Sequence, residues 1–229
     1  MSPQSNQFVL TIPNESVDCL YQRPAFHADE HSMRILVEAI ADSGRYTDRA
    51  FAEDSREIKQ VVACALVHHG NRLLCLRRAK RSNRASLRMK LTLLVGGHVD
   101  QQDALGPGTL ERCASRELAE ELGVQLGPSQ LKPFGVVTDP TLSSAGWLHV
   151  GVVFLAEIDS SHISLGSRHD TSEFVYAKRP QVVKLIDASE VASSVAQLDA
   201  WSYLVASSEA FGQMFQVNVP NVQDFFRYA

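Results

Sequence analysis

The sequence lacks the features that mark membrane, secreted and nucleic-acid-binding proteins. Among its 229 residues, no apolar run approaches the roughly 18 that a membrane-spanning helix needs. The polar segment 1–6 does not show the charged-then-apolar order of a secretory signal. The net charge of −4 argues against a general nucleic-acid-binding surface. We therefore expect a cytoplasmic protein with no membrane partner and no general nucleic-acid binding.

Cysteine is scarce, and the few that are present do not have the spacing of a metal-binding motif. The four are Cys19, Cys64, Cys75 and Cys113. Three of them lie inside apolar patterns, which is typical of buried thiols. Disulfides are rare in reducing compartments. The cysteines therefore predict reduced core thiols in a cytoplasmic protein.

The organisation of the chain changes near residue 60. With 45% hydrophobic and 21% charged residues, the chain can bury a substantial core. Residues 1–59 contain a short apolar run, Phe8–Ile12, and a helical pattern over His31–Ser43. They carry no recognisable chemistry, so we interpret them as an N-terminal extension that packs on the main domain or on a partner chain. Residues 60–229 are predicted to form that main domain.

From residue 61 onward the pattern predicts strands interrupted by helices. Apolar or β-branched segments bounded by turn signals favour strands, here Val61–His68, Arg72–Arg77, Met89–Val95, Leu131–Thr138, Leu148–Ile158 and Gln181–Ile186. Leu148–Ile158 is nearly all apolar, which predicts a central strand. Helical spacing is found in Thr109–Leu122, with Thr109 as its N-cap, and in Val195–Phe211. The fold class that follows is α/β, with a mixed β-sheet in an α/β/α sandwich.

The most informative segment is an acidic stretch, Arg116–Val124. On a helix, Glu117, Glu120 and Glu121 stand at i, i+3 and i+4 and project from one face. Like charges at these spacings repel one another by about 0.2–0.5 kcal/mol for each pair. A hard divalent cation such as Mg²⁺ removes that penalty, because it binds oxygen ligands. The cluster therefore predicts a metal site, most naturally for phosphate chemistry.

Three neighbouring features favour a site over the alternative, a solvated acidic helix face. Arg116 directly precedes the cluster and can hold one carboxylate by a bidentate contact. Gly123 is placed to end the helix. The pair Gly96-Gly97 ends an apolar run upstream, where the backbone can approach an ion closely.

These residues resemble the Nudix hydrolase family, whose members include MutT-like phosphohydrolases. The family motif is Gly, five residues, Glu, seven residues, then Arg-Glu-hydrophobic-any-Glu-Glu-any-Gly-hydrophobic. Its second half matches from Arg116 to Val124. The first half departs from it, because the interval from Gly97 to Arg116 is about five residues too long and Gly108 occupies the usual position of the first Glu. Asp103, six positions after Gly97, is a candidate substitute.

The resemblance implies the same sandwich fold, with residues 60–229 as the catalytic domain, and hydrolysis of a phosphoanhydride bond in a small-molecule diphosphate. It implies that Mg²⁺ or Mn²⁺ is held mainly by Glu120 and Glu121 with the Gly96 carbonyl. Glu117, oriented by Arg116, is expected to add a ligand or to take the proton of the attacking water. Family habit also suggests a homodimer.

Four further residues are candidates for binding the substrate. Arg77 and Arg78 begin a basic stretch that continues to Lys90, and they stand at a strand end where a polyphosphate can be received. His98 follows the glycine pair, and Glu173 lies in a late loop from which Nudix enzymes often bring another carboxylate. The alternatives are a solvated loop, a turn histidine and a water-facing carboxylate. Three aromatic residues are candidates for stacking on a base: Phe134, Trp147 and Tyr176.

Two other functions remain open from the sequence. The altered first half of the motif is compatible with a Nudix-like module that binds a nucleotide derivative without cleaving it. Related proteins also isomerise isoprenoid diphosphates, a reaction that typically requires a cysteine and an acid near the alkene. Cys64 and Cys75 lie on predicted strands, and finding both buried would remove that option.

Overall fold

The structure is a computed structural model that describes residues 7–78, 91–140, 144–159, 173–175 and 181–220. Its strands are β1 (Phe8–Pro13), β2 (Ala25–His27), β3 (Arg45–Asp48), β4 (Ile58–His69), β5 (Arg72–Arg78), β6 (Leu91–Thr92), β7 (Leu94–His98), β8 (Lys132–Thr138), β9 (His149–Glu157), β10 (Glu173–Val175) and β11 (Gln181–Asp187). Its helices are α1 (Glu30–Ser43), α2 (Arg49–Asp54), α3 (Thr109–Leu122), α4 (Ser144–Leu148), α5 (Ala188–Ser193), α6 (Ala200–Ala206) and α7 (Glu209–Phe215).

Strand β4 organises the sheet. It pairs in parallel with β9 and antiparallel with β1, β5 and β7. Eleven of its twelve residues are buried, as expected of a strand covered on both faces. The path through the sheet runs β10-β11-β5-β4-β9-β8-β2. The mixed sheet and the central position of β9 were both predicted and are confirmed.

Successive residues of β4 supply two cores, because neighbouring side chains of a strand point to opposite faces. Val61 and Ala63 belong to a cluster that includes residues of α1 and α3. Val62 and Cys64 belong to a second cluster, with residues of α6 and α7. Helices therefore cover both faces of the sheet, and the predicted mixed α/β architecture is confirmed.

The segment before residue 60 contributes directly to this sheet. Strand β1 pairs with β3 and with the beginning of β4, and β2 pairs with β8 at the far end of the path. Helix α1 begins after Asp29, whose side chain accepts a hydrogen bond from the Ser32 amide. The N-terminal residues are thus joined to the rest of the chain by main-chain hydrogen bonds.

Two predicted elements are wrong in detail. The helix expected over Val195–Phe211 is interrupted, because Asp199 caps α6 and Ser208 caps α7, so each side chain begins a new short helix. The strand expected over Met89–Val95 is divided within its described part. Leu93 separates β6 from β7, and its amide donates to Ser202 Oγ rather than to a neighbouring strand.

The cysteines are unpaired with one another, and Cys64, Cys75 and Cys113 are buried as predicted, whereas Cys19 is exposed. Within the described residues, none of the helices has the length and apolar character that crossing a bilayer requires.

The first prediction concerns the central strand. Leu66 is fully buried in the second core cluster, so Leu66→Ala should lower the free energy of unfolding by about 2–5 kcal/mol, because it removes buried methyl groups and leaves a cavity. Urea denaturation measures the change. Phe51, which is 61% exposed, is the control, and Phe51→Ala should change stability far less. Equal losses in the two variants would contradict the assignment of β4 to the core.

Candidate active site

Helix α3 carries the acidic cluster and has well-defined ends. It begins at Thr109 after Gly108, which occupies the N-cap position with a φ of 77°. The prediction that Thr109 is the N-cap is therefore wrong. The Thr109 hydroxyl instead donates to the carbonyls of Ala104 and Gly106. At the other end Gly123 adopts a φ of 70° and donates to the Ala119 carbonyl, which confirms the predicted glycine stop.

The glycine pair lies directly beneath the helix. A Cβ at Gly97 would collide with the Glu117 carboxylate, and a Cβ at Gly96 would collide with the Ala63 carbonyl of β4. A side chain at Gly96 must therefore displace the β4 backbone, and one at Gly97 must displace the Glu117 carboxylate. The predicted close approach between the glycine pair and the acidic cluster is present, but the pair lies within β7 and pairs with β4 rather than forming the predicted turn.

Arg116 connects the helix to the loop after β7. Its Nε and Nη2 donate to the two carboxylate oxygens of Asp103, both at 2.9 Å. Its Nη1 donates to Glu117 Oε1 at 2.8 Å and lies 3.6 Å from Glu120 Oε1. Burial disfavours the charge of Arg116, but the hydrogen bonds to Asp103 outweigh it and raise the pKa of the guanidinium. The bidentate partner of Arg116 is thus Asp103, while Glu117 receives a single hydrogen bond.

Asp103 is 2% exposed and is fixed from both sides. Its carboxylate accepts from the Asp100 amide at 2.9 Å as part of a capping box. Asp103 thus lies six residues after Gly97 and pairs with Arg116, and its role as a substitute for the first Glu of the motif stays a prediction.

A second arginine, which the sequence reasoning missed, holds the segment between Asp103 and α3 in place. Arg112 donates to the carbonyls of Asp103 at 2.7 Å, Ala104 at 2.7 Å and Pro107 at 2.8 Å. Ala104 has a positive φ of 51°, which is uncommon outside glycine. The available signal was the i,i+4 spacing of Arg112 and Arg116, which places both on one face of α3.

The three glutamates influence one another. Burial raises the pKa of Glu117, Arg116 opposes that shift, and the negative charges of Glu121 and Glu120 add to it. Glu120 is 46% exposed on its side chain, whereas Glu121 is half-buried. Carboxylates that destabilise each other's charge fit a hard divalent cation. Within the described residues, however, no three His, Cys, Asp or Glu side chains already converge as an ion-binding group.

His98 takes part in the site through its backbone, while its side chain points away from it. Its carbonyl accepts from Arg116 Nη2 at 3.2 Å. Its ring lies on the opposite face of the sheet, where its Nε2 is 3.0 Å from Nε2 of His149. Substrate binding by the His98 ring stays a prediction.

A buried lysine near the start of β4 was also missed. Lys59 is 1% exposed, and its ammonium lies 4.3 Å from the ring centre of Tyr21 and 3.8 Å from that of Trp147. It also donates to the Trp147 carbonyl. Burial lowers the pKa of Lys59 to about 8, against the opposing charge of Asp18. Cation–π contacts explain how this amine is accommodated inside the protein, and nothing in the local sequence indicates them.

The described chain is similar to proteins of one family. The NUDIX domain profile matches residues 57–198, more than half of the chain. The chain belongs to the Nudix family. Among functionally curated proteins, none is significantly similar in sequence.

One solved Nudix structure shares this fold. Tm1382, described as a candidate Nudix hydrolase, has a TM-score of 0.67 and 19% identity, over 87% of this chain and 96% of Tm1382. The MutT NUDIX hydrolase from Burkholderia pseudomallei is 25% identical over 57% of this chain and 84% of its own, with a TM-score of 0.40. A mutT/nudix family protein from Listeria innocua is 21% identical over 69% and 94%, with a TM-score of 0.46.

Three further residues were predicted to bind the substrate, and the structure describes only their backbones. The backbone of Arg77 pairs with Val182 and that of Arg78 with Gln181, while Glu173 pairs with Lys184 on β10. The side chains of Arg77, Arg78 and Glu173, together with residues 79–90, lie outside the described part, so substrate binding by them stays a prediction.

The structure also shows the surroundings of two aromatic residues that were candidates for stacking on a base, and of the two cysteines considered for isomerase chemistry. The Trp147 ring covers Lys59, and Phe134 packs against Phe26 with ring centres 5.0 Å apart. Tyr176 lies outside the described residues. Cys64 and Cys75 are buried in the second apolar cluster, which removes the argument for an isoprenoid diphosphate isomerase.

The second prediction tests the buried ion pair. Asp103→Ala leaves Arg116 without its bidentate partner, so the free energy of unfolding should fall by about 3 kcal/mol. Urea denaturation measures the loss. The control is Glu53→Ala, which breaks the more exposed Arg49–Glu53 ion pair and should cost at most about 1 kcal/mol. A loss for Asp103→Ala no larger than that of the control would show that the pair does not hold α3 in place.

Proposed function

We propose that this Nudix protein is a metal-dependent pyrophosphohydrolase. Its substrate is a nucleoside diphosphate-linked or other organic diphosphate small molecule, in which it cleaves a phosphoanhydride bond. The observation that carries the proposal is the placement of the Glu117 carboxylate against Gly97 of β7. Glu120 and Glu121 lie on the same helix as Glu117. Arg116, which Asp103 fixes, holds the Glu117 carboxylate in this place.

Glu120 and Glu121, with the Gly96 carbonyl, are the groups proposed to hold Mg²⁺ or Mn²⁺. When bound, the ion would neutralise charge on the diphosphate and would lower the pKa of a water molecule. Glu120 can turn toward an ion at small cost, because its side chain is 46% exposed and lies 3.6 Å from Arg116 Nη1. The proposed role of Glu120 and Glu121 is to bring the ion and the phosphates together.

Glu117 is proposed to act as the general base or as a further ligand. Its pKa is raised by burial and by the neighbouring glutamates, which makes its carboxylate a better proton acceptor than an exposed one. Arg116 keeps it from turning away, through the hydrogen bond of 2.8 Å. In-line attack on phosphorus needs chiefly positioning and charge stabilisation, and the ion pair to Asp103 supplies the positioning.

A second candidate is a Nudix module that binds a nucleotide derivative without cleaving it. Two observations favour it: Glu117 is already engaged by Arg116, and the described residues contain no converged group of three possible metal ligands. Calorimetric titration that shows ligand binding, together with no hydrolysis in Mn²⁺, would support this candidate over the enzyme.

The deciding experiment is a panel of diphosphate compounds incubated with Mg²⁺ or Mn²⁺, with the products identified by mass. Nucleoside triphosphates, dinucleotides, nucleotide sugars and coenzyme A derivatives are its members. Hydrolysis of at least one compound, dependent on the metal, is the expected result, and the product masses identify the scissile bond.

The third prediction concerns the two glutamates. Glu120→Gln and Glu121→Gln should each abolish metal-supported turnover while the fold is retained, because each replaces a charged ligand by a neutral amide. Glu111→Gln, on the first turn of the same helix, is the control and should retain activity. Near-normal turnover in both Glu120→Gln and Glu121→Gln would refute the assignment.

The fourth prediction concerns binding of the metal itself. An ion that binds only the folded state stabilises it by about 2.7 kcal/mol at a concentration one hundred times its Kd. Titrating Mn²⁺ should therefore raise the unfolding midpoint of the unmodified protein, and Glu121→Gln should reduce the increase. If both proteins respond equally, the ion binds elsewhere.

A further inference from the structure

A row of polar side chains crosses the sheet on the face opposite α3. It comprises Thr11 of β1, Gln60 of β4, His149 of β9 and His98 of β7. The alternation of β4 sends Gln60 to the face of Val62 and Cys64, away from α3. Thr11 and His149 are the paired neighbours of Gln60 on either side, and His98 is the paired neighbour of Val62. Thr11, Gln60 and His149 therefore form one row across the sheet. His98 lies on the same edge of β4 as Thr11, and its ring reaches across β4 to contact His149.

This polar row separates two apolar clusters. On one side lie Val9, Ala52 and Ile58. On the other side lies the large cluster that begins with Val62. Buried rows of polar groups inside a core are costly unless they are paired, so the interruption calls for a reason beyond packing.

Three of the four members satisfy one another or the backbone, but Gln60 does not. The Thr11 hydroxyl shares a hydrogen bond of 2.7 Å with the Thr47 hydroxyl, and His98 and His149 share one of 3.0 Å. Gln60 is 0% exposed, and neither its amide nitrogen nor its amide oxygen has a hydrogen-bond partner. Buried side-chain amides are normally paired, so a donor and an acceptor stand ready for a group from outside the chain.

The row also reaches the active site. Gly97 contacts Glu117 on one face of β7, and the next residue, His98, carries its side chain to the row on the other face. His98 is only half-buried, so solvent reaches the row beside His98. A ligand group held beside His98 lies one residue along β7 from Gly97, which contacts Glu117.

We propose that Gln60 recognises a planar group in which a hydrogen-bond donor stands beside an acceptor, belonging to the half of the substrate that carries no phosphate. Nucleobase edges and carboxamides both have this chemistry, and a glutamine amide pairs with such an edge through two hydrogen bonds. The His98–His149 pair borders the group and limits its size. The proposal rests on the proposed diphosphate substrate and names the class of its second half.

The experiment compares Gln60→Met with the unmodified protein in calorimetric titrations. Methionine matches glutamine in length but cannot form the two hydrogen bonds. The probes, each with Mn²⁺, are AMP, GMP, CMP, UMP and nicotinamide mononucleotide, together with ribose 5-phosphate, which has no planar group. Purine riboside 5′-monophosphate is added because it lacks the exocyclic amino donor of adenine. Gln125→Met, at an exposed position, is the matched control.

The unmodified protein should bind at least one base- or carboxamide-bearing probe more tightly than ribose 5-phosphate. Gln60→Met should weaken that probe about ten- to hundredfold and leave ribose 5-phosphate unchanged, while Gln125→Met should change neither. The probe that loses affinity identifies the source. Tighter binding of AMP than of its purine analogue, with that preference lost in Gln60→Met, indicates a nucleobase edge, and a loss for nicotinamide mononucleotide indicates a carboxamide. Should Gln60→Met not fold, Gln60→Glu keeps the size and the acceptor but removes the donor, and the same selective loss is expected.

Two results would overturn the proposal. In the first, the unmodified protein shows no preference for any probe over ribose 5-phosphate. In the second, Gln60→Met binds every probe as the unmodified protein does, with an unchanged or higher unfolding midpoint, as expected if a buried water satisfies the amide. These failures are distinct from failure of the enzyme, because selective loss of binding without any hydrolysis would leave the subsite standing and overturn only the proposed turnover.

Discussion

The ion pair between Arg116 and Asp103 is the constraint on which the geometry of the site depends. A guanidinium has a rigid, planar set of donors, so a carboxylate that binds two of them fixes the orientation of the whole group. The remaining nitrogen then points at Glu117, and a third contact reaches the His98 carbonyl. One side chain therefore sets the distance between α3 and β7, and with it the position of the Glu117 carboxylate over Gly97. Since both partners are largely buried, water does not replace either contact cheaply.

Close packing around the same site explains why positions 96 and 97 are both glycine. Gly96 lies against the β4 backbone and Gly97 lies against Glu117, so the glycine pair is packed between strand β4 and helix α3. Strand β4 is itself fixed by four neighbours and by apolar clusters on both faces. A side chain at Gly96 would have to move this central strand. The glutamates lie on a helix and the glycine pair on a strand, and Arg116 fixes the loop residue Asp103 against them, which preorganises the charged groups.

The sequence predicted those parts of the fold and site that depend on local patterns. The acidic face of α3 follows from helical spacing, its end from Gly123, and the central strands from apolar runs. What it missed depends on contacts between distant residues. The break between α6 and α7 arises because Asp199 and Ser208 cap backbone amides more favourably than a continuous helix would. The enclosure of Lys59 by Tyr21 and Trp147 joins residues 38 and 88 positions away, a relation that no periodicity reveals. The expectation that Arg116 holds a carboxylate of the acidic cluster by a bidentate contact is wrong for the same reason, since the bidentate partner is Asp103, 13 positions away along the chain.

The segment between Asp103 and α3 is anchored so that the Asp103 carboxylate stays at Arg116. Arg112 binds the carbonyls of Asp103, Ala104 and Pro107, so it ties both ends of this loop to α3 one turn before Arg116. The loop can therefore bulge outward, where residues 104–108 are exposed, while the Asp103 carboxylate remains inside. A loop held by its own arginine thus keeps a buried anion in place, and that anion holds Arg116 against Glu117.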